Sequence, residues 1–179
     1  MTLQCGAFDI NPIHTGDAWK LCDFTIANDD RFKRFFPKTL KENLTPTLSQ
    51  FFVEKKVKQF KNKEEFLFTI KQSSTRELAG LVYIKELDWT KKQGEFAYCI
   101  GYTFKGGKII TNAVKKLSEH AFKHLGLKTL QIIVHKDNIP SVKVAENNNF
   151  KWIKTLENEF TPEGENPLDM ELYELYYEK

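Results

Sequence analysis

Residues 95–150 constrain the fold of this chain more than any other segment. They read as a strand, a glycine-containing loop, an amphipathic helix, a second strand, and a second helix opened by Asn138-Ile139-Pro140-Ser141. The first helix is the firmest prediction, because apolar residues recur at helical spacing, namely Ile110, Ala113, Val114, Leu117 and Ala121. Unpaired backbone N–H groups at a helix start can bind a phosphate. A ligand-free βαβα unit is the alternative, and the local pattern leaves both open.

Size and composition favour one folded domain without a nucleic-acid partner. The chain has 179 residues, so we expect residues 1–179 to form a single domain. Its formal net charge is only +3, and no face or arm gathers the positive charge, so nucleic-acid binding is not expected. Three widely spaced cysteines, Cys5, Cys22 and Cys99, form neither a CxxC pair nor a zinc-ligand spacing, which is typical of buried, reduced thiols.

Targeting and membrane signals are not found in the sequence. The first ten residues lack a basic region followed by an apolar run, and no stretch approaches the roughly 18 apolar residues of a membrane helix. We therefore expect a cytoplasmic protein with no membrane partner. The oligomeric state is not fixed by the sequence, and a homodimer stays an open alternative.

The remaining chain predicts helices first and strands later. Helices are expected at 15–27, 28–37 (with Pro37 ending the segment), 45–60, 109–124 (with Gly126 as a left-handed cap) and 141–148. Strands are expected at 8–13, 65–71, 78–87, 96–102, 130–134, 150–156 and 172–177, and a Pro/Gly-bearing loop at 161–167. The links between 65 and 102 are too short for crossovers, so those three strands should form an antiparallel meander.

The loop before the long helix has the composition of an anion site. Its sequence is Lys105-Gly106-Gly107-Lys108-Ile109-Ile110, in which the glycines let a ligand approach the backbone and the lysines add positive charge. Neither GxxxxGK[ST] nor GxGxxG occurs, so it is not a Walker loop or a dinucleotide fingerprint. A plain strand-to-helix turn is the alternative.

Several different short motifs follow one another along most of the chain, at residues 8–10, 15–18, 77–80, 95–102, 111–115, 121–122, 125–127 and 138–146. Together they resemble the GNAT superfamily of N-acetyltransferases, and within it the RimJ/RimL-type enzymes. This resemblance implies an α/β fold of the α+β kind, with a single domain. Its central sheet would be mixed, mostly antiparallel and splayed in the middle, with helices on both faces.

The resemblance also implies acetyl-coenzyme A as the acyl donor, and no metal. Its pantetheine would pair with the backbone at Ile100 and Tyr102, and Asn138 would hydrogen-bond the same arm. The pyrophosphate would lie on the loop, at Lys105, Gly106, Gly107, Lys108, Ile109 and Ile110. Lys105 stands where relatives carry Gln or Arg, and Lys108 carries a side chain where relatives carry glycine.

Two residues are catalytic candidates by the same resemblance. Glu95 corresponds to a strand-borne general base, and a solvated strand-edge carboxylate is the alternative. Many relatives protonate the leaving thiolate with a tyrosine, but Ala145 matches that position here. Ser141 matches the serine used by RimJ/RimL-type enzymes, and helix capping is its alternative, as it is for Asn138.

The acceptor would be a primary amine, either a protein N-terminus such as that of a ribosomal protein or a small amine. Phe32, Phe35 and Phe36 either shape its pocket or simply pack. A fold that binds coenzyme A species or a partner without transfer is the second hypothesis. His120 and His124 have a spacing that can bind metal, but no third ligand accompanies them, and His135 is expected to be structural.

Overall fold

The computed structural model describes residues 1–178. Its strands are β1 (Leu3–Cys5), β2 (Phe8–Pro12), β3 (Phe66–Gln72), β4 (Leu78–Asp88), β5 (Gln93–Ile100), β6 (Thr129–Val134), β7 (Lys151–Phe160) and β8 (Leu168–Tyr176). Its α-helices are α1 (Ala18–Ala27), α2 (Asp29–Phe35), α3 (Pro37–Lys41), α4 (Pro46–Lys61), α5 (Ile109–His120) and α6 (Ile139–Asn147). None of these helices is long and apolar enough to cross a membrane.

Eight strands form one sheet in the described chain. Their order is β1-β2-β3-β4-β5-β6-β8-β7. The β5–β6 pair is parallel, whereas β1–β2, β2–β3, β6–β8 and β7–β8 are antiparallel. The predicted fold class, a mixed and mostly antiparallel sheet with helices, is therefore confirmed. The chain also divides into two compact units, Met1–Tyr83 with Tyr98–Ile109, and Ile84–Ala97 with the residues from Ile110 onward. The expectation of a single domain over 1–179 stays a prediction.

The first unit is built on a fully buried strand. One face of β3 carries large apolar side chains, and Phe66, Phe68 and Ile70 on that face are at most 2% exposed. Phe60 of α4 packs edge-on against Phe66 and Phe68, with ring centroids 4.9 and 5.3 Å away. The α4 helix begins as the sequence predicts, because the Thr45 hydroxyl accepts the Leu48 N–H at 3.2 Å.

Two predicted boundaries in the first unit are wrong. Pro37 was expected to end a helical segment, but α2 already ends at Phe35 and Pro37 begins α3. Proline suits that position, because the first helical turn has no partner for an N–H and needs the φ that proline fixes. The strand expected at 96–102 ends at Ile100, and residues Tyr102–Phe104 form a 3-10 turn instead.

The second unit carries the parallel pair and the long helix. The α5 helix runs from Ile109 to His120 and continues as a π-helical turn over Ala121–Leu125. Gly126 ends it with φ +78°, which confirms the predicted left-handed cap. Behind it, β6 pairs with β8 from Thr129↔Tyr176 to Val134↔Glu171.

The parallel pairing covers only part of both strands. It runs from Gln93↔Thr129 to Phe96↔Ile132. Beyond that pair, β5 continues to Ile100 and β6 to Val134. The paired register thus ends halfway along β5, as expected for a sheet that splays in its middle.

Candidate active site

An exposed loop leads from the 3-10 turn into α5. All four of its residues, Lys105, Gly106, Gly107 and Lys108, are exposed, whereas Ile109 and Ile110 at the start of the helix are each 8% exposed and anchor it. Gly106 has φ +85°, and a Cβ there would meet nothing within 4 Å. Open space above a glycine, two lysine side chains and a helix start together fit an anionic group such as a pyrophosphate.

Lys108 takes the backbone conformation that glycine favours. Its φ is +54°, in the left-handed region where a side chain is strained. Glycine adopts this conformation without strain, and the resemblance implies glycine at this position in relatives. The loop thus combines a left-handed backbone at 108 with an exposed lysine side chain.

The end of β5 is held by side chains from the α1–α2 junction. The Ile100 carbonyl accepts a hydrogen bond from the Arg31 guanidinium, and the Tyr102 N–H donates to Asn28 Oδ1 at 2.9 Å. These are the two positions at which the sequence predicts pantetheine pairing. Sequence reasoning missed Asn28 and Arg31, because no local spacing indicates a bond to a residue about 70 positions away.

Tyr102 carries two cations against its ring. The Arg31 guanidinium carbon lies 4.4 Å from the ring centroid, and Lys105 Nζ lies 4.3 Å from it. The tyrosine is 46% exposed, so these contacts are reachable by solvent and by a ligand. Cation–π contacts of this kind hold the lysine next to the loop without neutralising its charge.

Cys99, directly before Ile100, carries a thiol with a raised pKa. Burial raises the pKa of that thiol to about 12. Because the thiolate is the reactive form of cysteine, this shift disfavours Cys99 as a nucleophile at neutral pH.

Glu95 lies on the paired half of β5, opposite Gln131 of β6. Its side chain is 14% exposed and forms an ion pair with Lys85 Nζ at 3.0 Å. Burial raises the pKa of the Glu95 carboxyl above its usual value, although the Lys85 charge opposes that shift. Burial therefore outweighs the Lys85 charge in setting the protonation of Glu95.

Asn138 caps α6. Its Oδ1 accepts the Ser141 N–H at 3.4 Å, and its own N–H donates to the His135 carbonyl at 2.9 Å. The structure thus brings Asn138 and Ser141 together at one helix start. The Oδ1 of Asn138 therefore serves as the helix cap, as in the capping alternative. The Nδ2 of the same side chain is the atom with which Asn138 would bind a ligand. Ala145, at the position where many relatives carry tyrosine, is fully buried in this helix.

The other candidates are structural or packed. The His120 and His124 rings stack with centroids 5.0 Å apart, and burial and the neighbouring His124 lower the pKa of His120. Within residues 1–178, no group of three or more His, Cys, Asp or Glu side chains is placed to hold a metal ion. Phe32 is buried and Phe36 stacks on Tyr83, whereas Phe35 is 42% exposed.

Solved structures of several acetyltransferases have the same fold as this chain. Ribosomal-protein-S5-alanine acetyltransferase from Vibrio fischeri has a TM-score of 0.91 at 18% identity, covering 98% of this chain and 96% of that one. RimL, a ribosomal L7/L12 α-N-protein acetyltransferase in complex with coenzyme A, has 0.90 at 14% identity and 98% of both chains. The microcin C7 self-immunity acetyltransferase MccE, in complex with acetyl-CoA and AMP, has 0.85 at 22% identity, covering 96% and 93%.

Sequence comparison identifies the family. A search of curated proteins finds no match. The family model of the acetyltransferase (GNAT) domain, however, matches residues 9–151, which is most of the chain. The predicted enzyme class, an acyl-coenzyme A-dependent N-acetyltransferase, is confirmed by this match. The chain belongs to the GNAT acetyltransferase family.

Proposed function

We propose that this enzyme transfers the acetyl group of acetyl-coenzyme A to the α-amine of a protein N-terminus, in the manner of a RimJ/RimL-type enzyme. The observation that carries the proposal is the exposed loop at 105–108, which joins the 3-10 turn after β5 to the start of α5, so that it follows the half of β5 that lies beyond its paired register. A diphosphate on that loop and an extended arm along the strand suit coenzyme A.

The loop would bind the pyrophosphate with backbone N–H groups of Gly106, Gly107, Lys108, Ile109 and Ile110. The helix start adds roughly half a positive charge, and Lys105 supplies a full one. Because Lys105 Nζ rests on the Tyr102 ring, its ammonium group stays near the loop before the ligand arrives.

Transfer requires a neutral amine. The amine nitrogen attacks the thioester carbonyl carbon, the carbon–sulfur bond breaks, one proton leaves the nitrogen, and one proton reaches the departing sulfur. Glu95 would take the first proton, directly or through water, and its raised pKa makes it a stronger base than an ordinary glutamate. The hydroxyl of Ser141, at the start of α6, is our candidate donor for the sulfur. The raised pKa of the Cys99 thiol disfavours an acyl-cysteine step, so we assign the attack to the amine itself.

The side-chain amide of Asn138 would hydrogen-bond the pantetheine arm. Its Oδ1 already accepts the Ser141 N–H, so the side chain is held in one orientation. Asn138 and Ser141 would then act from one helix turn, the first on the arm and the second on the sulfur.

The acceptor is inferred from the structural neighbours. Two of them are named as acetylating ribosomal proteins, and one is a microcin self-immunity enzyme. A protein N-terminus is therefore our first choice and a small amine our second. We further propose that the protein works in the cytoplasm, where such N-termini are exposed after synthesis.

The test is direct. Calorimetry with acetyl-coenzyme A should show micromolar binding, and a thiol-release assay should show turnover with short peptides ending in Ala or Ser. The same peptides with an acetylated N-terminus serve as the control and should release no thiol. Binding without release for any peptide or small amine would overturn the transfer proposal.

A module that binds coenzyme A species without transfer is the second candidate. One observation favours it: Lys108, with φ +54°, places a side chain in the loop where the resemblance implies glycine, so the loop departs from the pattern of the transferring enzymes. The thiol-release assay separates the two candidates, because only the enzyme would release coenzyme A in the presence of an amine.

A further inference from the structure

Arg31 and Asn28 bond to backbone groups at the end of β5, and the direction of those groups shows which edge of the strand is involved. The Gly101 N–H donates to the Ala79 carbonyl on β4 at 2.8 Å. Backbone groups of successive residues in an extended strand point to opposite edges. Ile100 therefore directs its N–H and C=O groups to the outer edge of β5, which faces away from β4. Arg31 bonds to that outer edge at the Ile100 carbonyl, and Asn28 bonds to the N–H of Tyr102, the first residue of the 3-10 turn that follows β5.

An outer edge of this kind is where an extended ligand arm adds to a sheet. Pairing along it would supply main-chain hydrogen bonds, as an added strand does. The amides of a pantetheine arm have the donors and acceptors for this pairing. In the present structure, the guanidinium of Arg31 takes the place of one such donor at the Ile100 carbonyl.

Asn28 and Arg31 differ in how firmly they are held. Asn28 is 6% exposed, and its Nδ2 donates to the Phe24 carbonyl at 2.8 Å, so both ends of its amide are fixed. Arg31 is only half-buried, and its head group rests on the exposed ring of Tyr102. A long arginine side chain can leave such a contact without moving its helix.

The helix itself would stay in place during that exchange. Phe32, the next residue of α2, is 1% exposed. Its ring packs against Phe24 and Phe36, with centroids 5.9 and 5.7 Å away. The backbone of Arg31 is thus anchored, and its guanidinium can leave the Ile100 carbonyl by rotation of the side chain alone.

We infer that Arg31 is a latch on the pantetheine edge: its guanidinium occupies the Ile100 carbonyl in the free enzyme and is displaced when the pantetheine arm of acetyl-coenzyme A pairs there. Asn28 stays on the Tyr102 N–H and fixes the turn beyond it. This inference rests on the proposed function, since it needs acetyl-coenzyme A as the ligand.

The latch weakens the affinity of the enzyme for acetyl-coenzyme A, compared with the same site without the Arg31 guanidinium. Binding has to replace a charge-assisted hydrogen bond by a neutral one, and the cation–π contact is lost with it. Removal of the guanidinium should therefore tighten acetyl-coenzyme A binding by about tenfold. The nucleotide part of coenzyme A, 3′-phosphoadenosine 5′-diphosphate, lacks the pantetheine arm, so its affinity should not change.

The experiment is calorimetry on the whole protein with both ligands. Arg31→Ala is the test variant, and Arg31→Met, which keeps the aliphatic stem, replaces it if melting shows that Arg31→Ala is unfolded. Arg34→Ala is the control, because Arg34 lies on the same helix with its guanidinium over the Phe35 ring, and its loss changes the net charge equally. We expect tenfold tighter binding of acetyl-coenzyme A for the Arg31 variant only, with the nucleotide unaffected.

Each other outcome decides the matter. Weaker binding of both ligands would make Arg31 a phosphate ligand and overturn the latch. Equal binding of acetyl-coenzyme A by the wild type and the variant would also overturn it, while leaving the proposed function intact. If the wild type did not bind, binding by the variant would support the latch, and no binding by either would refute the latch and the proposed function together.

Discussion

Replacing Lys108 by glycine should stabilise the protein slightly. Lys108 has φ +54°, and a left-handed conformation costs an L-residue about 1–2 kcal/mol. Glycine avoids that strain but loses about 0.5–1 kcal/mol through the greater freedom of its unfolded chain. The free energy of unfolding should therefore rise by roughly 0.5–1 kcal/mol, which for a chain of this size is a Tm increase of about 1–4 °C.

The same substitution should strengthen coenzyme A binding. The loop backbone already has the conformation that glycine favours, so Lys108→Gly changes little except the side chain. If the pyrophosphate binds the loop N–H groups as proposed, that side chain would obstruct its approach. Removing it also removes one positive charge, which at an exposed site is worth at most about 1 kcal/mol. We expect the Kd for acetyl-coenzyme A to fall several-fold in calorimetry.

Lys92 provides a matched control. It is also an exposed lysine with a left-handed backbone, at φ +56°, in the turn between β4 and β5. Lys92→Gly should give a similar gain in Tm with no change in Kd. A weaker Kd for Lys108→Gly would show that its ammonium group binds phosphate and would refute the reasoning about obstruction. Equal changes of Kd in both variants would show that the effect comes only from the loss of one positive charge.

Three further predictions concern the same strands and loop. Glu95→Gln should lower turnover by about 10²-fold or more, and in the wild type turnover should fall on acidification already above pH 4.5, the usual carboxyl value, because the Glu95 pKa is raised. Because the Glu95 pKa is higher in the folded state, the stability that this carboxyl contributes is lost as pH rises through that pKa. In urea denaturation, the free energy of unfolding of Glu95→Gln should therefore rise relative to that of the wild type with increasing pH. The same pH dependence of both free energies would contradict this. Gly106→Ala, at φ +85°, should lose about 1 kcal/mol, whereas Gly107→Ala, whose Cβ would lie an ordinary 3.4 Å from Ile109, should stay within about 0.5 kcal/mol; equal thermal melts would exclude the strain argument. Gly80→Ala should cost about 2–3 kcal/mol in urea denaturation, since its Cβ would lie 2.6 Å from the Cys99 carbonyl oxygen, and a neutral result would mean that the two strands part easily.

Elements with a strong local signal could be predicted from the sequence. The apolar spacing from Ile110 to Ala121 and the glycine at 126 predict a helix and its cap, and both are present. The same holds for α4, where Thr45-Pro46 supplies the capping hydroxyl and the proline of the first turn. In each case the residues that decide the outcome belong to the helix itself or to its caps.

Boundaries that depend on distant residues could not be predicted. The strand expected to reach 102 ends at Ile100, where Arg31 takes the outer edge and Asn28 bonds to the turn that follows. Likewise, the Lys85 partner of Glu95 lies on a neighbouring strand, and the sequence gives no register from which to find it. The residue types of the candidate site were thus readable, whereas the partners that set their charge and geometry were not.

The bonds that Arg31 and Asn28 make at the end of β5 also bear on how the enzyme folds. They join residues that are 69 and 74 positions apart in the chain. Contacts of such separation form only after large loops have closed, and they are correspondingly late steps. The turn that follows β5 should therefore gain its final shape late in folding, and with it the loop at 105–108 that we propose as the pyrophosphate site.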